Sequence, residues 1–388
     1  MREGHYIKRK CMRQLQNDRP TASSKRRIAF CVFCVFCGLK KEFCNCLYCY
    51  KILLFFHQSA CMFGEKRINY RGGCSRGLYW NPAMAKSRRW KRMTNVPLTY
   101  MFDLGSISEA MRPYVMHCFA ESGAKHLVLC HWLMAEILKD GNLVSKVRKE
   151  MEAEGLTFVD AHALFGTFYD LRTMDETRLK HVILLDKLQI AIAAEMGVDT
   201  ITMHVGADTW TPEVSLERQN ANILRALEAI LPEAEACGVT VCIENSWTRL
   251  GHPDNLLKIK SCFPTEALGL CYDSGHANVL SSKAKQYEEC AARDRWTVPF
   301  GLEPEWEDCA LEKMQPHIVN CHLHDNDAQR DLHNLPGKGN IDWAHILRGL
   351  RQAPRLKCVQ CEVKTVPNKV TIPTLCRTFE ELLKGITA

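Results

Sequence analysis

Six apolar runs in the carboxyl-terminal three quarters of the chain each end on a histidine or a carboxylate. VTVCIE ends at Glu244, LGLCYD at Asp273, IVNCHLH at His324 and CVQCE at Glu362, with TFVDAH ending at His162 and TITMH at His204. Each run has the length and β-branched content of a parallel strand buried on both faces, so its last residue sits where a strand leaves the core. In a βα-barrel all such ends share one face and converge. Ends that carry only His, Asp and Glu describe a pocket able to hold a divalent metal.

The elements that would position these ends can be read from the same stretch. Gly155, Gly197 and Gly238 precede the runs ending at His162, His204 and Glu244, as expected where a helix stops on a left-handed residue and a short strand follows. A similar segment, AKHLVLCH, ends at His131. Leu185, Leu188, Ile192 and Met196 make one helical stripe and Leu216, Ile223, Leu227 and Ile230 another; both are predicted to face the core. Strands are predicted near Leu98–Phe102, His126–His131, Thr157–His162, Thr200–His204, Val239–Glu244, Leu268–Asp273, Ile318–His324 and Leu356–Glu362, with a last helix near Thr378–Lys384. Residues 93–388 therefore read as one α/β domain, a (β/α)8 TIM barrel with an insertion near Trp296–Glu307. An open doubly wound sheet gives no reason for six strand ends to meet.

Residues 1–92 are of another kind. They hold 21 Lys and Arg against 4 Asp and Glu, a net charge of +17, whereas the remainder holds 30 against 40, a net of −10. Nine of the 21 cysteines fall there, including Cys31, Cys34, Cys37, Cys44, Cys46 and Cys49, without a regular pair of zinc knuckles. The apolar patch Ile28–Leu39 is too short to span a bilayer. Arg88-Arg89-Trp90, just before Met93, can be encoded by a purine-rich run of the ribosome-binding kind, so the expectation is a basic, Cys-rich extension that is disordered or spurious, with the barrel starting at Met93. The alternative is a basic arm for nucleic acid or membrane. Cysteines inside predicted strands, such as Cys242, Cys271, Cys321, Cys358 and Cys361, behave as small buried hydrophobes and point to the reducing cytoplasm.

The densest motif runs His322-Leu323-His324-Asp325-Asn326-Asp327, then Arg330-Asp331-Leu332-His333, then Pro336-Gly337-Lys338-Gly339-Asn340-Ile341-Asp342-Trp343. Alternation in a strand puts His322 and His324 on one face; His324, nearer the end, is taken as the ligand. Asp331 and His333 follow on a loop able to close the site. Gly337 and Gly339 permit a tight turn, and Asp342 suits a helix start.

These residues resemble the xylose isomerase-like TIM-barrel superfamily, which holds sugar-phosphate isomerases and epimerases and the zinc-dependent AP endonucleases of family 2. The resemblance covers roughly Tyr100–Leu383 and is carried by IEN around Glu244, YDSGHAN from Tyr272, HLHDND, DLHNLPGKGNIDW and CEVK around Glu362. It implies a divalent metal, Mn, Zn, Mg or Co, at Glu244, Asp273, His324 and Glu362, with Glu244 and Glu362 also acting as acid and base. It further implies that His276 and Arg330 bind substrate. In the endonucleases a larger set holds three metals, and that set adds His162, His204, His276, Asp331 and His333.

The residue chemistry agrees with such an assignment. A divalent ion held by three carboxylates and one imidazole keeps positions open for two adjacent substrate oxygens, and two carboxylates on separate strands can take a proton from one face of a carbon and return one to it. Lys338 and Arg330 are placed to receive a phosphate, and Trp247 to stack on a sugar; solvated charge and plain packing are their structural alternatives. The reading is a metal-dependent isomerase or epimerase of a small sugar or sugar phosphate, with small carbohydrate as partner, no membrane and an oligomer allowed. The alternative is an AP endonuclease, the only case in which nucleic acid is a partner, and the barrel's net −10 suits a polyanion poorly.

Overall fold

The computed structural model describes residues 96–387; the basic extension, its cysteines and Met93 lie outside the described residues. Eight parallel strands close into a barrel in sequence order: β1 Leu98–Tyr100, β2 His126–Leu129, β3 Thr157–His162, β4 Thr200–Met203, β5 Thr240–Glu244, β6 Leu268–Asp273, β7 Ile318–Leu323 and β8 Cys358–Cys361. β1 pairs with both β2 and β8, which closes the sheet. Every strand matches its predicted run, but β2, β4, β7 and β8 stop short of the polar residue that ends the run, so His131, His204, His324 and Glu362 sit on the exits.

Local signals make the helices as expected. Ser215 accepts from Arg218 N at 3.3 Å to start the helix Leu216–Cys237, and Gly238, at φ 70°, ends it in the left-handed region that glycine tolerates. Ile223, Leu227 and Ile230 of that helix are fully buried, each stabilising the core by about 1.5–3 kcal/mol. The helix Glu176–Glu195 corrects its expected stripe: Leu185, Leu188 and Ile192 are only half-buried, while Leu179, Val182, Asp186, Gln189, Ile190 and Ala193 face the barrel. The reason is polar. Gln189 accepts from Leu164 N at 2.7 Å and donates to Asp186 at 2.8 Å, tying the helix to the loop after β3.

Between β6 and β7 the insertion carries a helix, Ala291–Phe300, that leans on the neighbouring loops through Trp296 Nε1 to Trp247 O at 2.8 Å and Arg249 stacked on Phe300 at 4.4 Å. The last helix, Ile372–Thr387, is longer than predicted. No helix among the described residues is long and apolar enough to cross a membrane.

Candidate metal centre

Glu244 and Asp273 end β5 and β6, His322 is the penultimate residue of β7, and Glu362 is the first residue after β8. All four are buried. His322 Nδ1 lies 3.0 Å from Glu244 Oε1, 3.0 Å from Glu362 Oε2 and 3.9 Å from Asp273 Oδ2. One ligand atom from each of these residues falls within 4.8 Å of the others. Asp273 also shapes the backbone, because its Oδ1 accepts from His276 N at 2.6 Å and caps the helix Ser274–Leu280.

A second group adjoins the first. His276, His324, Asp331 and His333 also place ligand atoms within 4.8 Å of one another. His324 Nε2 lies 3.1 Å from Asp273 Oδ2, which joins the two groups, and the His324 ring stacks on His333 at 3.9 Å. That ring fits only because residue 275 is glycine, where a Cβ would come within 1.9 Å of the imidazole. On the other side, His162 and His204 reach Glu244 Oε2 at 3.8 and 2.7 Å. The structure thus brings Glu244, Asp273, Glu362, His162, His204, His276, His324, Asp331 and His333 to one pocket.

The histidines are oriented from behind. Nδ1 of His162, His276 and His333 each lies 2.8 Å from a backbone carbonyl, of Ala163, Asn245 and Glu362 respectively. A carbonyl only accepts, so these rings carry the proton on Nδ1 and turn Nε2 toward the pocket, the arrangement of metal-ligating imidazoles.

Electrostatics point to a cation. Burial alone would raise the Glu244 and Glu362 carboxyls, yet His322 and the neighbouring imidazoles outweigh it and hold both well below the usual range. Asp331 is lowered in the same way by His333, His276 and His324. In return Cys271, Glu362 and Glu244 overcome burial at His322 and raise it, and carboxylates do the same at His324 and bring His276 up to about 9. Asp331 Oδ1 and His324 Nδ1 are buried without a hydrogen-bond partner, while Glu244 Oε2 and Glu362 Oε2 meet imidazole nitrogens, of His204 at 2.7 Å and His322 at 3.0 Å. Buried carboxylate oxygens without donors are costly in a folded protein unless positive charge meets them. The mixed N and O donor set fits a borderline divalent ion.

Other expected residues fall elsewhere. Trp247 sets its ring edge on His276 at 4.8 Å, at the pocket wall. Arg330 is ion-paired with Asp294 of the insertion helix, and Lys338 is exposed on its loop; the structure does not bring either into the His and carboxylate cluster. His322, ranked behind His324 in the sequence, is the imidazole set among Glu244, Asp273 and Glu362. Its signal is the register of β6 on β7, which pairs Asp273 with His322 and follows an irregularity at Leu270/Cys271; neither feature shows in one strand's sequence. The pocket's far wall was also only partly legible. His131, Phe165 and Trp132 form an aromatic run there, with Phe165 4.8 Å from His131 and stacked on His204 at 4.7 Å.

Comparison with known proteins places this geometry. The family profile described as Xylose isomerase-like TIM barrel matches residues 120–380. A protein of Methanocaldococcus jannaschii, the uncharacterized protein MJ1311, is 24% identical over 259 residues, 65% of this chain and 78% of that one. The solved structure of a D-tagatose 3-epimerase-like protein superposes with a TM-score of 0.58 at 18% identity, covering 75% of this chain and 98% of the other. The IOLI protein with a binding zinc atom gives 0.55 at 15% identity, with 75% and 98% covered. At these identities the structural likeness is one of fold.

Proposed function

Because the chain belongs to the xylose isomerase-like TIM-barrel family, we propose that it is a metal-dependent isomerase or epimerase of a small sugar or sugar phosphate, working by carboxylate-mediated proton transfer. One observation carries the reading. Glu244 on β5 and Glu362 after β8 approach a common point, each 3.0 Å from the same nitrogen of His322. Strands β5 and β8 lie on different sides of the barrel, so the two carboxylates address a bound carbon from two directions.

In this proposal Glu244, Asp273, His322 and Glu362 hold the ion, with His324 beside them on Asp273. A divalent cation bound there supplies the positive charge that acidifies the C–H next to a substrate carbonyl. One glutamate Oε2, kept ionised by the neighbouring imidazoles, takes that proton, and the other, having gained a proton from solvent, returns it to the opposite face. His276, His162 and Trp247 line the space where the remaining hydroxyls lie. Fold similarity to an epimerase-like protein agrees with this reaction class.

A second reading rests on the His276, His324, Asp331 and His333 group, which offers donors for further ions and with them cleavage of an abasic phosphodiester. The acidic balance of residues 93–388 and the ion-paired Arg330 count against a polyanionic substrate. We also propose that the folded unit starts near Met93 and works in the cytoplasm, since the twelve cysteines of the described residues are free thiols.

The test loads the full chain with Mn or Zn, counts bound metal, and incubates it in heavy water with a panel of sugars and sugar phosphates. Deuterium should enter the carbon beside the carbonyl, and Glu244→Gln or Glu362→Gln should suppress exchange. Incision of an abasic duplex with no exchange on any sugar would replace this reading by the second.

A further inference from the structure

Beneath the site, inside the barrel, runs a file of buried polar side chains that the proposed reaction does not use. His322 Nε2 lies 3.3 Å from Thr202 Oγ1. Asn320 Nδ2 donates to the same hydroxyl at 3.1 Å. Asn320 Oδ1 accepts from Cys358 Sγ at 3.2 Å, Thr200 Oγ1 lies 3.5 Å from that sulfur, and Thr200 donates to Asp160 Oδ1 at 2.7 Å. Asp160, Thr200, Thr202, Asn320 and His322 are all fully buried. The file joins β3, β4, β7 and β8.

Polarity decides what this file does. An amide nitrogen only donates, so Thr202 Oγ1 accepts from Asn320 and keeps one further lone pair. The same amide is held in place by Cys358 at its oxygen. With a cation among Glu244, Asp273 and Glu362, His322 Nδ1 must offer a lone pair, and its proton must then sit on Nε2. Thr202 Oγ1, 3.3 Å from Nε2, is placed to accept that proton, with the Cys271 thiol also beside the ring. His322 therefore differs from His162, His276 and His333, whose outer nitrogens are fixed by backbone carbonyls that no substitution removes.

We propose that Thr202 is the positioning residue of the metal centre: it accepts Nε2–H of His322, turns the Nδ1 lone pair toward Glu244, Asp273 and Glu362, and is itself held as an acceptor by Asn320. The proposal rests on the metal-site reading above. Asp160 and Thr200 anchor the lower end of the same file.

The experiment compares the full-length protein with Thr202→Val, which deletes the hydroxyl at nearly constant volume, and Thr202→Ser, which restores it. Zinc affinity is measured by competition with a chelating dye, and 15N-histidine NMR of the zinc-loaded protein, assigned with His322→Gln, reads which ring nitrogen of His322 is ligated. Thr202→Val should weaken zinc binding about 10- to 100-fold, Thr202→Ser should bind within about threefold of the parent, and the parent spectrum should show Nδ1 ligated with Nε2 protonated. Ligation through Nε2, or a valine variant that binds zinc like the parent, overturns the proposal. So does a serine variant as weak as valine, which would make the effect one of packing. A parent that binds no zinc removes both this proposal and the metal-site reading. Zinc binding abolished by Glu244→Gln but untouched by Thr202→Val removes this proposal alone.

Discussion

The two halves of the barrel mouth share a backbone plan and differ in charge. On the β5 to β8 side, His276 sits in the first turn of the helix that follows β6, and carboxylates of Asp273, Asp331, Glu244 and Glu362 overcome burial to raise it to about 9. On the β1 to β4 side, His131 opens a helix after a strand, but burial first, then His162, pull it down to about 3 among Phe165 and Trp132. A histidine at a strand exit thus has no fixed chemistry of its own. Burial and the charges around it decide whether it serves as part of a charged cluster or as an aromatic wall.

The largest effect should come from the charged half. Asp273→Asn keeps a helix cap of nearly equal quality but removes one negative ligand, so metal affinity should fall by about 100-fold or more, beyond what loss of an outer partner costs. Equilibrium dialysis with metal analysis reads this, and an unchanged affinity would break the contrast between the halves.

The metal-free protein offers the next test. A raised histidine contributes stability that is complete below its unfolded value, about 6.5, and is lost as pH rises through about 9. A lowered histidine works in reverse, costing stability as pH falls below about 6.5 toward about 3. His276→Gln should therefore flatten the alkaline side of a denaturation profile and His131→Gln the acidic side. A swap of these two behaviours would refute the electrostatic division.

Smaller effects are expected behind the aromatic half. Burial holds the Asp186 carboxyl well above its ordinary value, its Oδ2 has no partner, and only Gln189 donates to it. Its folded value is raised, so the stability it provides is present below the ordinary carboxylate range and is lost as pH climbs through the folded value. Asp186→Asn should accordingly stabilise the protein by on the order of 1–3 kcal/mol at neutral pH and by little in acid, as seen in urea titrations. Least of all, Phe165→Leu should change bound metal by less than about threefold, below the range seen for partners that orient ligands. A loss of metal there would extend the charged centre across the whole mouth.

Much of this organisation was legible in single segments. Apolar runs of strand length located all eight strands, and Ser215, Gly238 and Asp342 mark helix ends as their types predict. Single segments said less where a polar contact from another segment entered. The helix Glu176–Glu195 turns Asp186 and Gln189 inward because Leu164 N needs an acceptor, which no hydrophobic stripe reveals. Arg330, expected at the substrate, is paired with Asp294 of an insertion whose path the sequence leaves open.

The sequence by itself determined the barrel, its strand exits and the kinds of ligand they carry, because these follow from terms acting over a few neighbouring residues: strand alternation, helix capping and the left-handed tolerance of glycine. Only the tertiary structure decided that His322 stands among the three carboxylates, that the pKa of His276 is raised and that of His131 lowered, and that Thr202 meets His322 from below. Those outcomes depend on strand register and barrel closure, which bring together residues 78 positions apart in Glu244 and His322 and 120 apart in Thr202 and His322, and Coulomb and hydrogen-bond energies respond to that distance in space, whatever the separation along the chain.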